Sequence, residues 1–203
     1  MILKSHFSQF IRENKNKNII HLLKHKYKLN VTYNYGLYLI QYTSMSKFKF
    51  PLVKECKNIV CDSLFNIISV TRNKHISEDQ FKDLVEPNWH KKVLVSPIIE
   101  GDYVYLFFHK DNWYISNKNG IFNVSTKIYQ TTSKLLENKL PISQLNSKYC
   151  YTFILTKTSY NQPRLYLTNC FQINNSETET NIESINIGLF KNKLPLVKIL
   201  YNF

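Results

Sequence analysis

The order of apolar and polar residues divides the chain into a short helical start and a longer strand-rich part. Within the first thirty residues, apolar side chains recur at helical spacing in two runs, and the second run places Ile19, Leu22 and Leu23 on one face. From Val31 onward, short runs rich in Val, Ile, Tyr and Phe alternate with Gly, Pro and Asn. The pattern predicts two short helices followed by antiparallel hairpins.

Turn residues place the individual hairpins, and capping residues place two further helices. We predict hairpin turns at 34–36, 62–66 and 110–112, with the third hairpin ending near Gly120, a fourth strand pair around the loop 158–163, and helices over 77–86 and 125–140. The predicted fold class is α+β, with a central antiparallel β-sheet and short flanking helices. The predicted division is a helical segment (1–30), a main domain (31–170) and a polar loop with a C-terminal tail (171–203).

Composition limits the classes of protein to consider. A chain of 203 residues with 43% hydrophobic and 14% aromatic residues folds into a globular core, most simply as one domain. Apolar runs fall short of the ~18–20 residues of a transmembrane helix. The four cysteines show no CxxC spacing. We therefore expect a cytoplasmic protein with reduced thiols and no membrane association.

The formal charge of +13 comes almost entirely from lysine, since 27 basic residues include arginine only at positions 12, 72 and 164. The chain contains no alanine, and its abundant residue types have AT-rich codons. An AT-biased genome, such as that of a large DNA virus or a cytoplasmic plasmid, explains part of this excess. Charge alone therefore leaves two interpretations open, a nucleic-acid or nucleotide partner and a codon bias without such a partner.

Three segments carry a resemblance to a known family: "KECKNIVCD" (54–62), "EGDYVYLFFHKDNWYISNKNG" (100–120) and "YTFILTKTSYNQPRLYLTN" (151–169). Together with the strands from Tyr35 onward, they resemble the nucleotidyltransferase domain of the T4-type RNA ligases, a branch of the covalent nucleotidyltransferase superfamily. The resemblance covers about 35–169. Within it, "KECKNIVCD" is similar to a family strand upstream of the nucleotide pocket that reads approximately Glu-Cys-Arg-Gly-Ile, with Lys57 and Asn58 in place of the Arg-Gly pair. The resemblance implies a ligase-type nucleotidyltransferase core, with ATP and Mg²⁺ as the cofactors to consider.

The sequence departs from this family where the family's chemistry resides. Aligning Glu100 and Gly101 on the end of the Lys-x-Asp/Glu-Gly motif puts Ile98 at the position of the nucleophilic lysine. An alkyl side chain has no lone pair with which to attack an α-phosphate. A later strand that carries a carboxylate in the family has only apolar residues here (Phe153, Ile154, Leu155), and the phosphate-gripping lysine strand is not found after Asn169. The resemblance thus implies a degenerate member.

The resemblance also supplies the candidate site residues. The nucleotide-binding candidates are Glu100, Gly101, Asp102 and Lys118, with the ligand between the hairpin carrying Glu100 and the strand carrying Lys118. The nucleic-acid-binding candidates are Lys54, Lys57, Arg72, Lys74 and His75. Ordinary turn chemistry for the acidic residues, and solvated surface for Arg72, Lys74 and His75, are the alternatives.

Three functions follow. The leading one is a non-catalytic module that binds nucleotide or nucleic acid, RNA in preference to DNA, or a protein partner. The second is an active nucleotidyltransferase that uses a different lysine, for which the candidates are Lys91, Lys92, Lys110 and Lys118. The third is a structural or host-interaction protein whose pocket is filled by Ile98, Ile99 and Phe153.

Overall fold

The computed structural model describes residues 5–71, 100–125, 142, 145–157 and 163–172. Within these ranges the helices are α1 (His6–Glu13), α2 (Ile19–His21), a π-helical turn (Leu22–Lys26) and α3 (Pro51–Glu55). The strands are β1 (Asn30–Asn34), β2 (Leu37–Gln41), β3 (Ile59–Cys61), β4 (Ile67–Ser69), β5 (Asp102–His109), β6 (Asn112–Asn117), β7 (Gly120–Asn123), β8 (Tyr149–Lys157) and β9 (Pro163–Gln172).

The N-terminal helices pack on the first sheet through a narrow apolar stripe. The Ser5 hydroxyl caps α1 by accepting hydrogen bonds from the N–H groups at 7 and 8, and Asn18 caps α2 in the same way. Phe7 and Leu23 are fully buried, and Phe10 is nearly so. Burial of each side chain of this size contributes about 1.5–3 kcal/mol to the stability of the fold, and this packing holds the short helices on the sheet.

The first sheet has the strand order β1-β2-β3-β4, and all its pairs are antiparallel. Tyr35 and Gly36 form the β1–β2 turn, both with positive φ (53° and 75°). Turns of this kind match the right-handed twist of the flanking strands. In the β3–β4 connection, Asp62 Oδ1 accepts hydrogen bonds from the N–H groups of Leu64 and Asn66. Both hairpins lie where the sequence predicts them.

The second sheet has the order β7-β6-β5-β8-β9, so its central strand is β5. Lys110 and Asp111 form the β5–β6 turn, again with two positive φ values (45° and 65°). β5 also pairs with β8, with Asp102 opposite Leu155. This long-range pairing places the start of β5 beside the end of β8.

The two sheets pack against each other through a shared apolar cluster. Its buried members come from β2, β3, β5, β6, β7 and β8: Leu37, Leu39, Val60, Phe107, Tyr114, Ile121 and Cys150. Cys150 Sγ also donates a hydrogen bond of 3.4 Å to the carbonyl of Ile68 on β4. The relative position of the sheets is therefore fixed by packing. The candidate site described below lies at an edge where residues of both sheets meet.

The α+β class and the four predicted strand pairs are confirmed, with three differences in detail. The strands form two sheets, where the sequence predicts one central sheet. Gly120 begins a further strand, β7, instead of ending a hairpin. Glu55 and Cys56, which the resemblance places on a strand, lie at the end of α3, because Pro51 at the first helical position favours a helix there.

Several predictions fall on residues outside the described ranges. These are the helix over 77–86, nearly all of the helix over 125–140, and the tail after 172. The division into three segments therefore stays a prediction. Among the described helices, none is long and apolar enough to cross a membrane.

Candidate nucleotide and nucleic-acid cleft

Lys57 lies at an edge where the two sheets meet, and the surface formed there by Lys57, Tyr103, Asp102 and Lys118 is called the cleft below. It follows α3 and precedes β3, and its Nζ lies 3.8 Å from the centroid of the Tyr103 ring on β5. A cation over the face of an aromatic ring is attracted by the ring's quadrupole. Partial burial lowers the pKa of the Lys57 ammonium below its ordinary value, because desolvation disfavours the charged form. Lys57 is thus held in place and half removed from water.

Asp102 and Lys118 form an ion pair one residue along β5 from Tyr103, the ring that Lys57 covers. Asp102 begins β5, next to Tyr103, and Lys118 lies in the turn between β6 and β7. Lys118 Nζ lies 2.6 Å from Asp102 Oδ1, and both side chains stay largely exposed. An ion pair this exposed contributes little to stability. Both groups are therefore accessible to a ligand from solvent.

A buried amide network joins the two sheets beneath these charges. Asn58 is fully buried, and its Nδ2 donates a hydrogen bond of 2.8 Å to Ser116 Oγ on β6. Asn58 Oδ1 accepts from Gln41 Nε2 at 3.1 Å, and Gln41 Nε2 also donates to the Asn117 carbonyl at 3.0 Å. Because buried polar groups need partners, this network fixes the position of the Lys57 segment against β6.

Three tyrosines line the same edge. Tyr103 and Tyr105 stack at 6.2 Å along β5. Burial, assisted by Tyr103 and Tyr42, raises the pKa of Tyr105. Burial and the nearby Tyr103 likewise raise the pKa of Tyr42. Lys57 covers one face of Tyr103, so packing accounts for these rings better than base stacking.

Gly101 has a steric role. A Cβ atom at this position would clash with the carbonyl oxygen of Leu155 and would lie 2.6 Å from Ile154 Cγ2. Glycine is therefore required for the close approach of β5 and β8. Glu100, just before it, is exposed. Gly101 thus permits the close packing of the two strands, and Glu100 presents an accessible carboxylate.

The candidates from sequence are brought together in part. Lys57 contacts Tyr103, and the preceding residue, Asp102, pairs with Lys118, with Glu100 and Gly101 directly before Asp102. Lys54 is exposed on α3, and no contact with these residues joins it to the cleft within the described part of the chain. Arg72, Lys74, His75, Ile98 and Ile99 lie outside the described ranges, and Phe153 is fully buried in the core of the second sheet.

Glu55 has a structural role that the resemblance does not indicate. Its Oε1 accepts from the His6 backbone N–H at 3.0 Å and forms an ion pair with His6 Nδ1 at 2.7 Å. Its Oε2 accepts from Ser5 Oγ and from the Phe7 N–H, each at 3.0 Å. A carboxylate at a helix N-terminus satisfies unpaired N–H groups and interacts favourably with the helix dipole. Glu55 therefore connects α3 to α1.

Sequence reasoning missed Gln41, Tyr42, Asn58 and Ser116 as cleft residues. The resemblance marks position 58 only as a departure, since the family has glycine there. A polar residue between a lysine and an apolar strand carries no pattern that indicates full burial. Its role depends on pairing with β6, which lies 58 residues further along the chain.

An open groove of about 460 Å³ lies elsewhere on the molecule. Its walls include Lys15 and Lys17, between α1 and α2, and Leu64 and Phe65 in the β3–β4 turn. None of the candidate residues lines it. The charged residues of the cleft therefore lie outside this groove.

Metal binding at the cleft would depend on the ligand. Within the described ranges, no three His, Cys, Asp or Glu side chains are grouped so that they could hold a metal ion. Mg²⁺ in nucleotide sites commonly uses one or two carboxylates together with phosphate oxygens and water. The exposed carboxylates of Glu100 and Asp102 fit that limited contribution.

Comparison with known proteins shows the fold alone. No protein-family model and no curated protein matches the sequence. One of seven matching solved chains is an inferred ATP-dependent DNA ligase from Aquifex aeolicus, with a TM-score of 0.50 and 14% identity. The match covers 95% of this chain and 50% of that protein. The fold is that of a ligase-type nucleotidyltransferase core.

This similarity agrees with the fold that the resemblance implies. The chain spans about half the length of the Aquifex protein, so that protein's activity is not carried over. The similarity is to a DNA ligase and is distant, so it does not select the T4-type RNA ligase branch. Catalytic degeneracy and the ligand both remain for direct tests.

Proposed function

We propose that this chain is a non-catalytic nucleotidyltransferase-like module that binds nucleotide or nucleic acid in the cleft. The observation that carries the proposal is that Lys57 covers the ring of Tyr103, while the preceding residue of β5, Asp102, pairs with Lys118. Two ammonium groups at a partly desolvated edge attract phosphate oxygens. Isoleucine at position 98 removes the family's nucleophile from the motif, so binding without covalent transfer fits the sequence.

The ligands to test first are ATP with Mg²⁺ and single-stranded RNA. In this proposal, Lys57 and Lys118 contact phosphate oxygens, while Asp102 and Glu100 contribute carboxylates to a phosphate-bound Mg²⁺. RNA is preferred over DNA because the sequence resembles RNA ligases. Arg72, Lys74 and His75 are proposed as further phosphate contacts along the strand, and Lys54 as a peripheral one.

Equilibrium binding of fluorescent ATP and of a labelled RNA oligonucleotide tests this function. Lys57→Gln keeps most of the side-chain length and removes the charge, so we expect affinity to fall about tenfold, or ~1.4 kcal/mol. Lys110→Gln is the matched control, since Lys110 is an exposed lysine in the β5–β6 turn at the opposite end of β5. Equal affinity of wild type and Lys57→Gln for both ligands would contradict the proposed site.

One observation favours a second function, an active nucleotidyltransferase with a different lysine. Lys57 is half-buried with a lowered pKa, which increases the fraction of free amine available for attack. Lys118 is exposed and paired with Asp102, so it meets these conditions less well. In this alternative, Lys57 Nζ forms a bond to the α-phosphorus of a Mg²⁺-bound nucleoside triphosphate, pyrophosphate leaves, and the ammonium proton goes to solvent.

The alternative is tested by incubation with α-labelled ATP or GTP and Mg²⁺ or Mn²⁺, followed by denaturing electrophoresis. An acid-labile label that Lys57→Arg abolishes and Lys118→Arg retains would establish it. Neither label nor noncovalent binding by wild type would leave the structural or host-interaction function standing.

A further inference from the structure

Two segments far apart in the chain bring four lysines together. Lys26 and Lys28 lie at the end of the N-terminal helical segment, while Lys47 and Lys49 belong to the loop 42–50. The Lys47 N–H donates to the Tyr27 carbonyl at 3.2 Å, and Ser46 Oγ donates to the Lys28 carbonyl at 2.8 Å. These bonds hold the two segments side by side. We call Lys26, Lys28, Lys47 and Lys49 the lysine surface.

An aromatic pair supports the lysine surface from below. The rings of Tyr27 and Phe50 meet edge to face at 5.1 Å. Lys26 Nζ lies 5.2 Å from the Tyr27 ring centroid, and Lys49 Nζ lies 5.4 Å from that of Phe50. The four lysines are exposed, and none forms an ion pair with a described residue. Their charges are therefore available to a ligand in solution.

Local charge balance separates this region from the rest of the chain. Ten of the 27 basic residues lie between positions 12 and 57, together with only two of the 14 acidic ones. Glu55 is occupied in capping α1, and Glu13 accepts a hydrogen bond from Gln9. The rest of the chain has 17 basic and 12 acidic residues, so the excess is concentrated in this region, and a codon bias that acts on the whole chain does not explain the concentration. The asymmetry indicates a polyanionic partner.

The lysine surface is continuous with the cleft through the loop 42–50. Tyr42, at the start of this loop, packs against Phe48 with ring centroids 5.1 Å apart. The Tyr42 N–H also donates to the Cys56 carbonyl at 2.6 Å, next to Lys57. One end of the loop therefore lies at the cleft, and the lysines at its other end extend the positive surface outward.

We infer that the lysine surface binds the phosphate backbone of a single nucleic-acid strand whose adjoining part reaches the cleft. Lysine ammonium groups bind phosphates as point charges and read no bases. Tyr27 is buried, so it offers no face on which a base could stack. Binding at this surface is therefore independent of sequence and sensitive to salt. This inference rests on the proposed function of the cleft and extends it to a longer ligand.

The test compares two double charge reversals in the full chain. Lys47→Glu with Lys49→Glu changes the lysine surface, and Lys110→Glu with Lys148→Glu makes the same change in net charge at exposed positions elsewhere. Each variant is titrated by fluorescence anisotropy with a labelled RNA 20-mer, a DNA 20-mer of the same sequence and a fluorescent ATP, over a salt series. Thermal melts establish that both variants are folded.

We expect the 47/49 variant to bind the oligonucleotides at least tenfold more weakly than wild type, with ATP affinity unchanged. The slope of log affinity against log salt should fall by about 1.4, since each phosphate contact on a single strand contributes about 0.7. Equal losses in the 110/148 variant, or no loss in the 47/49 variant, would overturn the inference. ATP binding without any oligonucleotide binding by wild type would overturn it and leave the proposed function standing, while no binding of any ligand would overturn both.

Discussion

The Asn58→Ala substitution tests whether the buried amide network joins the two sheets. Asn58 is fully buried, and its side chain makes two hydrogen bonds, one to Ser116 on β6 and one to Gln41 at the end of β2. Alanine removes both bonds, deprives the buried Ser116 hydroxyl of this partner and leaves the space of an amide group empty. The substitution therefore combines hydrogen-bond and cavity costs.

The expected loss of stability follows from these contacts. Two hydrogen bonds contribute roughly 1–3 kcal/mol, and the cavity adds a smaller amount, so we expect a loss of about 3 kcal/mol. For a chain of this size each kcal/mol lowers Tm by about 2–4 °C, which gives a decrease of roughly 6–12 °C. Since Asn58 adjoins Lys57, the affinity of the cleft for ATP and RNA should also fall.

Thermal melts of Asn58→Ala, with Asn112→Ala as the control, measure this effect. Asn112 is exposed and its side-chain amide donates only to the Lys110 carbonyl, so we expect a decrease in Tm of no more than about 2 °C. Asn58→Asp should lose more stability relative to wild type at pH 8 than at pH 5, because burial disfavours the ionised carboxylate. A Tm for Asn58→Ala equal to that of Asn112→Ala would refute the role of the network.

Three further predictions concern the rest of the fold. Glu55→Ala removes the carboxylate that caps α1, so we expect the free energy of unfolding to fall by about 2 kcal/mol and Tm by roughly 4–8 °C. As the control, Glu13→Ala at an exposed position should change Tm by under ~2 °C, and equal Tm values for the two variants would contradict the capping role. Gly101→Ala places a Cβ against the Leu155 carbonyl and should reduce both Tm and the yield of folded protein; a wild-type melt would show that β5 and β8 are not packed this closely. The four cysteines are buried with raised pKa values, so a thiol reagent at pH 8 should label them slowly in the native protein and fully in denaturant, and rapid labelling of the native protein would contradict their burial. Because the pKa of each thiol is higher in the folded than in the unfolded chain, their contribution to stability should be complete below about pH 8 and should fall above it.

Local patterns predict the hairpins well because each depends on neighbouring residues. Gly36 and the polar turn at Lys110 and Asp111 provide the positive φ values that two-residue turns need, and β-branched and aromatic residues flank them. The N-terminal helices follow in the same way from periodicity and from capping by Ser5 and Asn18. In these elements, local preference and tertiary packing agree.

The division into two sheets and the composition of the cleft depend on pairing between distant segments. Nothing around Asp102 in the sequence shows that it lies opposite Leu155, or that Lys118 returns to pair with it. Family resemblance led to Asp102 and Lys118 without this geometry. The resemblance could not lead to Asn58, because this residue replaces a glycine in the family pattern. The burial of Asn58 arises from its contact with β6.

Glu55 shows how a motif position can have a structural role. The resemblance places it on a strand near the nucleotide pocket, whereas its carboxylate caps α1. The α1 N-terminus lies some fifty residues earlier in the chain, so only the folded structure reveals the contact. Motif similarity therefore points to a segment, and the role of each side chain in it depends on the folded geometry.

Noncovalent binding of nucleotide by an intact cleft is the central claim, and one paired measurement tests it most directly. Purified protein is incubated with α-labelled ATP and Mg²⁺, and one half is separated by native gel filtration while the other half is denatured before electrophoresis. We predict that label accompanies the native wild-type protein, decreases in Lys57→Gln, and is absent from the denatured chain. Label that persists after denaturation would contradict the non-catalytic assignment, and absence of label from the native protein would contradict nucleotide binding itself.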